Sequence, residues 1–91
     1  MTEYNTVAIL RVMPESPELD KEALKKSIEN GVPQNMKIHK IEEEPIAFGI
    51  VALNAFVLLN DKEGGVENIE KEIKDIKDVS EVDTTDVRRL L

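Results

Sequence analysis

The sequence contains no cysteine, no tryptophan and a single histidine, His39. Without thiols, the chain can form neither disulfides nor thiolate-bound metal sites, and this composition fits a reducing cytosol. A single histidine could bind a metal only with an unusual set of carboxylate co-ligands, so we interpret His39 as a solvated side chain. These absences exclude a disulfide scaffold and a conventional zinc site.

Positive charge is also scarce. The chain has 12 Lys and Arg residues against 19 Asp and Glu residues, which gives a net charge of −7. It lacks the basic stripe with which nucleic-acid-binding proteins displace counterions from phosphates, so we expect no direct nucleic-acid ligand. The acidity either keeps the protein soluble or attracts a basic partner protein, and composition leaves both explanations open.

Targeting segments and membrane-spanning runs are missing as well. The first five residues, Met1 to Asn5, carry neither the basic nor the apolar region of a secretory signal. The longest apolar run, residues 50–59, is too short to cross a bilayer as a helix. A length of 91 residues predicts one domain, 1–91, and together these features predict a cytoplasmic protein with no membrane contact.

That apolar run predicts the central strand of the fold. Between Ile50 and Leu59 the only polar side chain is Asn54, and valine, isoleucine and phenylalanine favour a strand over a helix. Because both faces are apolar, we expect the strand inside a sheet rather than at its edge. Pro45 and Gly49 lie just before this strand and predict a rigid loop with an aromatic residue, Phe48, at its tip.

The spacing of apolar residues and the positions of capping and turn residues predict the other helices and strands. The first helix should end at Asn30 and begin at Glu18 or Lys21, with Ser16 or Asp20 as its cap. Its apolar stripe is Leu19, Ala23, Leu24 and Ile28. The remaining predictions are a first strand at Thr6–Met13, an edge strand at Met36–Glu44 with a bulge near His39-Lys40, the central strand at Ala47–Leu59, a second helix at Val66–Lys77 and a last strand at Val79–Val87.

The predicted order is β-α-β-β-α-β. Right-handed crossovers then give a four-stranded antiparallel sheet with both helices on one face, the ferredoxin-like α+β sandwich. The first and third strands lie in the centre of this topology, in agreement with their apolar patterns. If the odd-numbered residues from Val51 to Leu59 face the helices, an apolar patch on the open face becomes a candidate interface. That patch comprises Val7, Ile9, Ile50, Ala52, Phe56 and Leu58 beside Asn54.

Catalytic motifs are weak. The carboxylates of Glu42, Glu43 and Glu44 alternate between the faces of a strand, so they converge poorly on a cation or substrate and better explain a protected edge. Gly64-Gly65 lacks the spacing of a phosphate-binding loop and favours a turn. Serine residues have no histidine at a recognisable spacing, so nucleophilic catalysis is not expected.

Three segments together resemble archaeal elongation factor 1-beta. They are Val12–Ser16, Glu44–Leu53 and the ending Asp86–Leu91, and the resemblance covers essentially the whole chain. That family exchanges guanine nucleotide on elongation factor 1-alpha, the GTPase that brings aminoacyl-tRNA to the ribosome. The resemblance implies the ferredoxin-like fold, this GTPase as partner, no enzymatic chemistry and no cofactor.

The resemblance also implies contact residues. A Pro-Ile/Val-Gly-Phe/Tyr-Gly-Ile segment of the eukaryotic exchange domains, whose aromatic lies against the GTPase, matches the segment from Pro45 to Ile50, with Ala47 in place of a glycine. It therefore implies partner contacts by Pro45, Ile46, Phe48 and Gly49.

At the C-terminus the implication is less direct. Eukaryotic chains carry a penultimate lysine that reaches toward magnesium and phosphate, whereas this chain ends two residues sooner without that lysine. Arg89 is the favoured counterpart and Arg88 the alternative, with Leu90 and Leu91 as further contacts. A chain end of this kind is usually frayed, but two arginines and two leucines at the end of a strand in an acidic protein favour a contact element even without the resemblance.

Two rival classes fail on particular residues. An acylphosphatase-like enzyme would need an arginine-bearing loop after the first strand, where this chain has Met13-Pro14-Glu15-Ser16-Pro17. An RNA-recognition module would need aromatics on the first strand and a basic face. The surviving alternative is a small ligand-binding or regulatory domain that dimerises through its sheet, and the sequence leaves the oligomeric state open.

Overall fold

A computed structural model describes residues 4–33, 35–60 and 65–90. Within these residues the four strands form one antiparallel sheet in the order β2-β3-β1-β4. This topology confirms the ferredoxin-like α+β prediction and the central positions of β1 and β3. The elements are β1 (Thr6–Pro14), α1 (Lys21–Gly31), β2 (Lys37–Pro45), β3 (Val51–Leu59), α2 (Val66–Lys74) and β4 (Val79–Arg89).

The core lies between one face of the sheet and the two helices. Strand residues two apart share a face and helix residues four apart share a stripe, so each element contributes regularly spaced side chains. In the predicted stripe of α1, Leu24 and Ile28 are buried, but Ala23 is exposed and Leu19 lies before the helix. The main buried side chains are Ala8, Leu10 and Val12 of β1, Leu53, Ala55, Val57 and Leu59 of β3, Leu24 and Ile28 of α1, and Ile69 and Ile73 of α2.

Asp20, one of the two predicted caps, starts α1. Its Oδ1 atom accepts hydrogen bonds from the backbone N–H groups of Glu22 at 3.0 Å and Ala23 at 3.3 Å. Ser16, the other candidate, lies in the preceding turn, where its hydroxyl accepts from the N–H of Glu18 at 3.2 Å.

We expect Asp20→Ala to lower the free energy of unfolding by about 1 kcal/mol, because two N–H groups lose their partner. For a domain of this size that corresponds to a fall in Tm of roughly 4–8 °C in a thermal unfolding experiment. Ser16→Ala is the matched control and should have a smaller effect, since Ser16 caps no helix. Equal losses in the two variants would contradict the assignment of Asp20 as the cap.

Three predicted boundaries are wrong by two residues or more, and the others agree within one residue. A residue with positive φ lies near two of the three. The strand β3 begins at Val51 rather than Ala47, since Phe48 and Gly49 adopt left-handed conformations. The helix α2 ends at Lys74 rather than Lys77, and the chain reverses at Asp78 with φ 78° before entering β4. The strand β4 continues past Val87 because it stays paired with β1 as far as Arg89.

The bulge predicted in β2 is confirmed. The register of β2 on β3 shifts between Ile38 and Lys40, so His39 is the bulged residue. Further along β2, Glu43 lies on the helix side and its carboxylate is 2.9 Å from the Nζ atom of Lys25 in α1. This hydrogen-bonded ion pair lowers the pKa of Glu43 and raises the pKa of Lys25. It ties the edge strand to the helix layer.

Candidate partner-binding site

The loop between β2 and β3 is a tight turn with Phe48 at its tip. The N–H of Ile50 donates to the carbonyl of Ala47 at 3.1 Å, and the N–H of Ile46 donates to the carbonyl of Ile50 at 2.8 Å. Phe48 and Gly49 occupy the two central positions with φ values of 59° and 77°. Two positive φ values in succession characterise the type I′ turn, whose usual residues are asparagine and glycine.

Neither the backbone conformation of Phe48 nor the position of its ring stabilises the fold. A left-handed conformation costs an L-residue roughly 1–2 kcal/mol, and Phe48 is also 96% exposed. Its ring therefore contributes no burial that would offset this cost. Strained backbone that coincides with an exposed aromatic side chain is a reason to expect a function at that position.

The neighbours of this turn are rigid and also exposed. Pro45 ends β2, opposite Val51, and Ile46 remains 38% exposed. A side chain at Gly49 would lie 4.0 Å from the Cβ atom of Pro17, so the loop between β1 and α1 flanks the turn. The four predicted contact residues Pro45, Ile46, Phe48 and Gly49 thus form one exposed surface, which we call the Phe48 turn.

The predicted C-terminal contact residues lie on an ordered strand as far as the structure describes them. Arg88 is opposite Val7 and Arg89 is opposite Thr6 in the β1–β4 register. The N–H of Leu90 donates to the carbonyl of Asn5 at 2.9 Å, and Leu90 is 44% exposed. The frayed-end interpretation is therefore wrong for residues 88–90, whereas Leu91 lies outside the described residues.

The two arginines are on opposite faces of the sheet, as consecutive strand residues must be. Thr6 is buried under the helices, so Arg89 is on the helix side. Val7 is on the open face, and so is Arg88. The Nε atom of Arg88 lies 2.6 Å from the Oδ2 atom of Asp86, while 72% of the Arg88 side chain remains exposed. The fold therefore presents two chemically similar cations in two different directions.

The Phe48 turn and the C-terminal residues lie at opposite ends of the sheet. The turn follows the last pair of β2 and β3, and Arg89 belongs to the pair at the other end of β1. Eight residue steps separate these rows, which corresponds to roughly 26 Å along the strands. The residues predicted as one contact set therefore form two separate clusters.

The open face of the sheet has the predicted orientation. Val7, Ile9, Phe56 and Leu58 are half-buried there, in the adjacent pairs Val7–Leu58 and Ile9–Phe56. Ala52, also predicted to be exposed in this patch, is instead buried. The Nζ atom of Lys40 lies 4.6 Å from the centre of the Phe56 ring, a cation–π contact.

Beside these apolar side chains runs a polar row that sequence reasoning missed. The Nε atom of Arg11 is 3.6 Å from the Oε1 atom of Glu44, which also accepts a hydrogen bond from the Asn54 amide at 3.3 Å. This Nε atom is shielded from solvent and makes no hydrogen bond. Only the strand register brings these three residues together, so no sequence motif signals them.

The other candidate residues of the sequence are widely separated or lie in turns. Among the described residues, no group of three or more histidine, aspartate or glutamate side chains could hold a metal ion. Glu42 and Glu44 are on the open face and Glu43 is on the helix side, so these carboxylates diverge. Gly65 precedes α2 without a side-chain cap, and Gly64 lies outside the described residues.

Within the same described ranges, none of the helices has the length and apolar character needed to span a bilayer.

Comparison with solved structures supports the fold. The C-terminal domain of the MgtC protein from Mycobacterium tuberculosis superposes with a TM-score of 0.65 over 98% of this chain and 92% of that domain. Its sequence identity is 14%, so the likeness concerns the fold alone.

Comparison of sequences identifies the family. The model of the "EF-1 guanine nucleotide exchange domain" matches residues 7–90. "Elongation factor 1-beta" of Methanothermobacter thermautotrophicus is 53% identical over 96% of this chain and 98% of that protein. The proteins of that name in Methanobrevibacter smithii and Methanosphaera stadtmanae are 52% and 47% identical, over 93% and 96% of this chain and 96% and 98% of theirs. This chain belongs to the family of EF-1 guanine nucleotide exchange domains.

Proposed function

We propose that this protein accelerates the release of GDP from elongation factor 1-alpha and so allows GTP to reload during translation elongation. The match of residues 7–90 to the exchange-domain family carries this proposal. The protein acts in the cytoplasm by binding the GTPase, and it makes and breaks no covalent bond itself.

The surface supports an action through contacts. The Phe48 turn offers an exposed aromatic ring on a rigid backbone, which is the kind of anchor that dominates protein interfaces. The C-terminal residues offer exposed guanidinium and leucine side chains at the other end of the sheet. A partner that meets both clusters must span roughly 26 Å. This distance is longer than a small-molecule pocket, so the partner that contacts both clusters should be a protein with an extended surface.

Nucleotide release follows from what such contacts can disturb. GTPases hold their nucleotide largely through magnesium and through loops around the phosphates. A guanidinium placed near that site competes with the metal electrostatically and can bind its carboxylate or phosphate ligands. An apolar side chain wedged against a mobile loop can hold that loop displaced. Neither step requires a cofactor in the exchange protein.

The first test is direct. Elongation factor 1-alpha loaded with fluorescent GDP should lose its label faster when this protein is added, and substoichiometric amounts should suffice because the exchange factor is released and acts again. Incubation of this protein alone with GTP should yield no phosphate above the buffer control. A release rate that stays at its intrinsic value at saturating protein would overturn the proposal.

A further inference from the structure

The open face of the sheet carries opposite charges in its two halves. In the half next to the C-terminal residues, the charged residues paired with the apolar side chains are Lys37, Lys40, Arg88 and Asp86. In the half next to the Phe48 turn, the charged residues of the open face are Glu42, Glu44, Glu81, Asp83 and Arg11. One half thus carries three cations and one carboxylate, and the other carries four carboxylates and one cation, all within the described ranges. The halves meet at Lys40, whose Nζ atom is 3.3 Å from the Oε2 atom of Glu42.

The two halves also differ at their centres. The cationic half surrounds the block of Val7, Ile9, Phe56 and Leu58. The acidic half surrounds Arg11 and Asn54. The cationic half stands out in a protein whose net charge is −7. Such a surface presents a dipole along the strands, and a dipole can orient a partner as it approaches.

We propose that elongation factor 1-alpha lies along this open face and that the charge polarity sets its direction. This inference rests on the proposed function. The GTPase surface is acidic where it meets Lys37, Lys40 and Arg88, and basic where it meets the carboxylates near the Phe48 turn. The open face connects the two clusters that the partner must reach, and Arg88 belongs both to the C-terminal cluster and to this face.

A second copy of the chain could also bind to the open face. Two copies packed face to face in opposite directions would bring the cationic half of each against the acidic half of the other. Four strands about 4.8 Å apart and roughly 26 Å long present on the order of 500 Å². Two such faces would bury about 1,000 Å² in total, which is below the ~1,600 Å² typical of stable interfaces. The area therefore favours a partner that also contacts the ends of the sheet.

Charge reversal in the two halves tests the polarity. A fluorophore on Asn30→Cys, an exposed position in a chain that has no other cysteine, reports association with the GTPase by stopped flow. Lys37→Glu/Lys40→Glu makes the chain more negative, and Glu42→Lys/Glu44→Lys makes it less negative. We expect each double variant to slow association about tenfold at low salt, and this difference to shrink as ionic strength rises.

Controls separate polarity from total charge and from stability. Lys26→Glu/Lys71→Glu changes the net charge as much as the Lys37/Lys40 variant, but alters exposed positions on the helices. It should change the association rate far less. Thermal unfolding of every variant verifies folding, and Glu42→Gln/Glu44→Gln replaces the lysine variant if the latter unfolds.

The outcomes are distinct. If one reversal slows association and the other speeds it, the partner surface is uniformly charged and the polarity proposal is wrong. Rates equal to those of the helix control would show that the open face does not meet the GTPase. A concentration-dependent dimer in sedimentation that both reversals abolish would assign the face to a second copy. If the expected rates appear without faster GDP release, the surface assignment stands and the proposed exchange function falls.

Discussion

Phe48→Asn should reduce the GDP release promoted by this protein about thirty-fold without reducing its stability. Truncation of a residue that acts as an interface hot spot costs about 2 kcal/mol or more, which corresponds to roughly that factor. The ring is 96% exposed, so its removal uncovers no core. Nucleotide release from the loaded GTPase measures the first effect, and thermal unfolding of the exchange protein measures the second.

Stability should in fact rise slightly. The φ of 59° at Phe48 is unfavourable for most side chains, whereas asparagine tolerates it and forms with Gly49 the Asn-Gly pair that type I′ turns prefer. A gain of up to about 1 kcal/mol would raise Tm by several degrees in a domain of this size. The substitution therefore moves activity and stability in opposite directions, which a purely structural role for Phe48 would not produce.

Phe48→Tyr serves as the matched control, because it keeps the ring and the backbone strain. It should retain most of the exchange activity and the original Tm. If Phe48→Asn instead lowers Tm by several degrees and leaves GDP release intact, Phe48 is a packing residue and the Phe48 turn is not a contact surface.

The fold could be predicted because its determinants are periodic. Largely apolar residues on both faces of β1 and of β3 placed the two strands in the centre, and the charges along β2 placed that strand at the edge. Boundaries failed where single residues decide the chain direction. Phenylalanine rarely adopts a positive φ, so nothing in the identity of Phe48 signals a left-handed conformation. Aspartate adopts one more often, but most aspartates do not, so the identity of Asp78 does not fix the turn there.

The candidate site was predictable in its residues but not in its arrangement. Pro45 and Gly49 bracket an exposed aromatic, and this pattern alone predicted that Phe48 lies outside the core, as observed. Its role in partner contact remains a prediction. The separation of the Phe48 turn from Arg88 and Arg89, and the split charge of the open face, depend on which residues pair across strands. The hydrophobic pattern and the turn geometry set the pairing register, but the residues that pair are distant in sequence, so the arrangement follows only when the whole sheet is assembled.

Substitution of Arg89 should affect nucleotide release, whereas substitution of Arg88 should affect association. The two side chains are on opposite faces of β4, so one partner site cannot receive both in the same way. Arg89, which the resemblance favours as the counterpart of the penultimate lysine of eukaryotic chains, is the residue we propose to disturb magnesium and phosphate. Arg89→Ala should therefore bind the GTPase almost normally but slow the release of GDP about tenfold, a change of ~1.4 kcal/mol in the barrier.

Arg88→Ala should show the complementary pattern, because Arg88 is on the open face beside Asp86. Its loss leaves Asp86 without this cation and weakens the cationic half, so association should slow most at low salt. Stopped-flow association and single-turnover GDP release, measured on the same samples, separate the two effects. Chelation of magnesium supplies a further criterion: once the metal is gone, the Arg89 variant should approach the parent rate, since competition with the metal no longer contributes.

The alternative is that both arginines only pair with nearby carboxylates at the surface, where such pairs contribute about 0–1 kcal/mol to stability. In that case each variant would exchange nucleotide at the parent rate and differ only slightly in Tm. Arg89→Lys distinguishes charge from shape, because it keeps the cation but removes the planar guanidinium. Full activity in that variant, with loss in Arg89→Ala, would assign the effect to charge near the metal. Parent rates in all the variants would leave the Phe48 turn as the element that drives release.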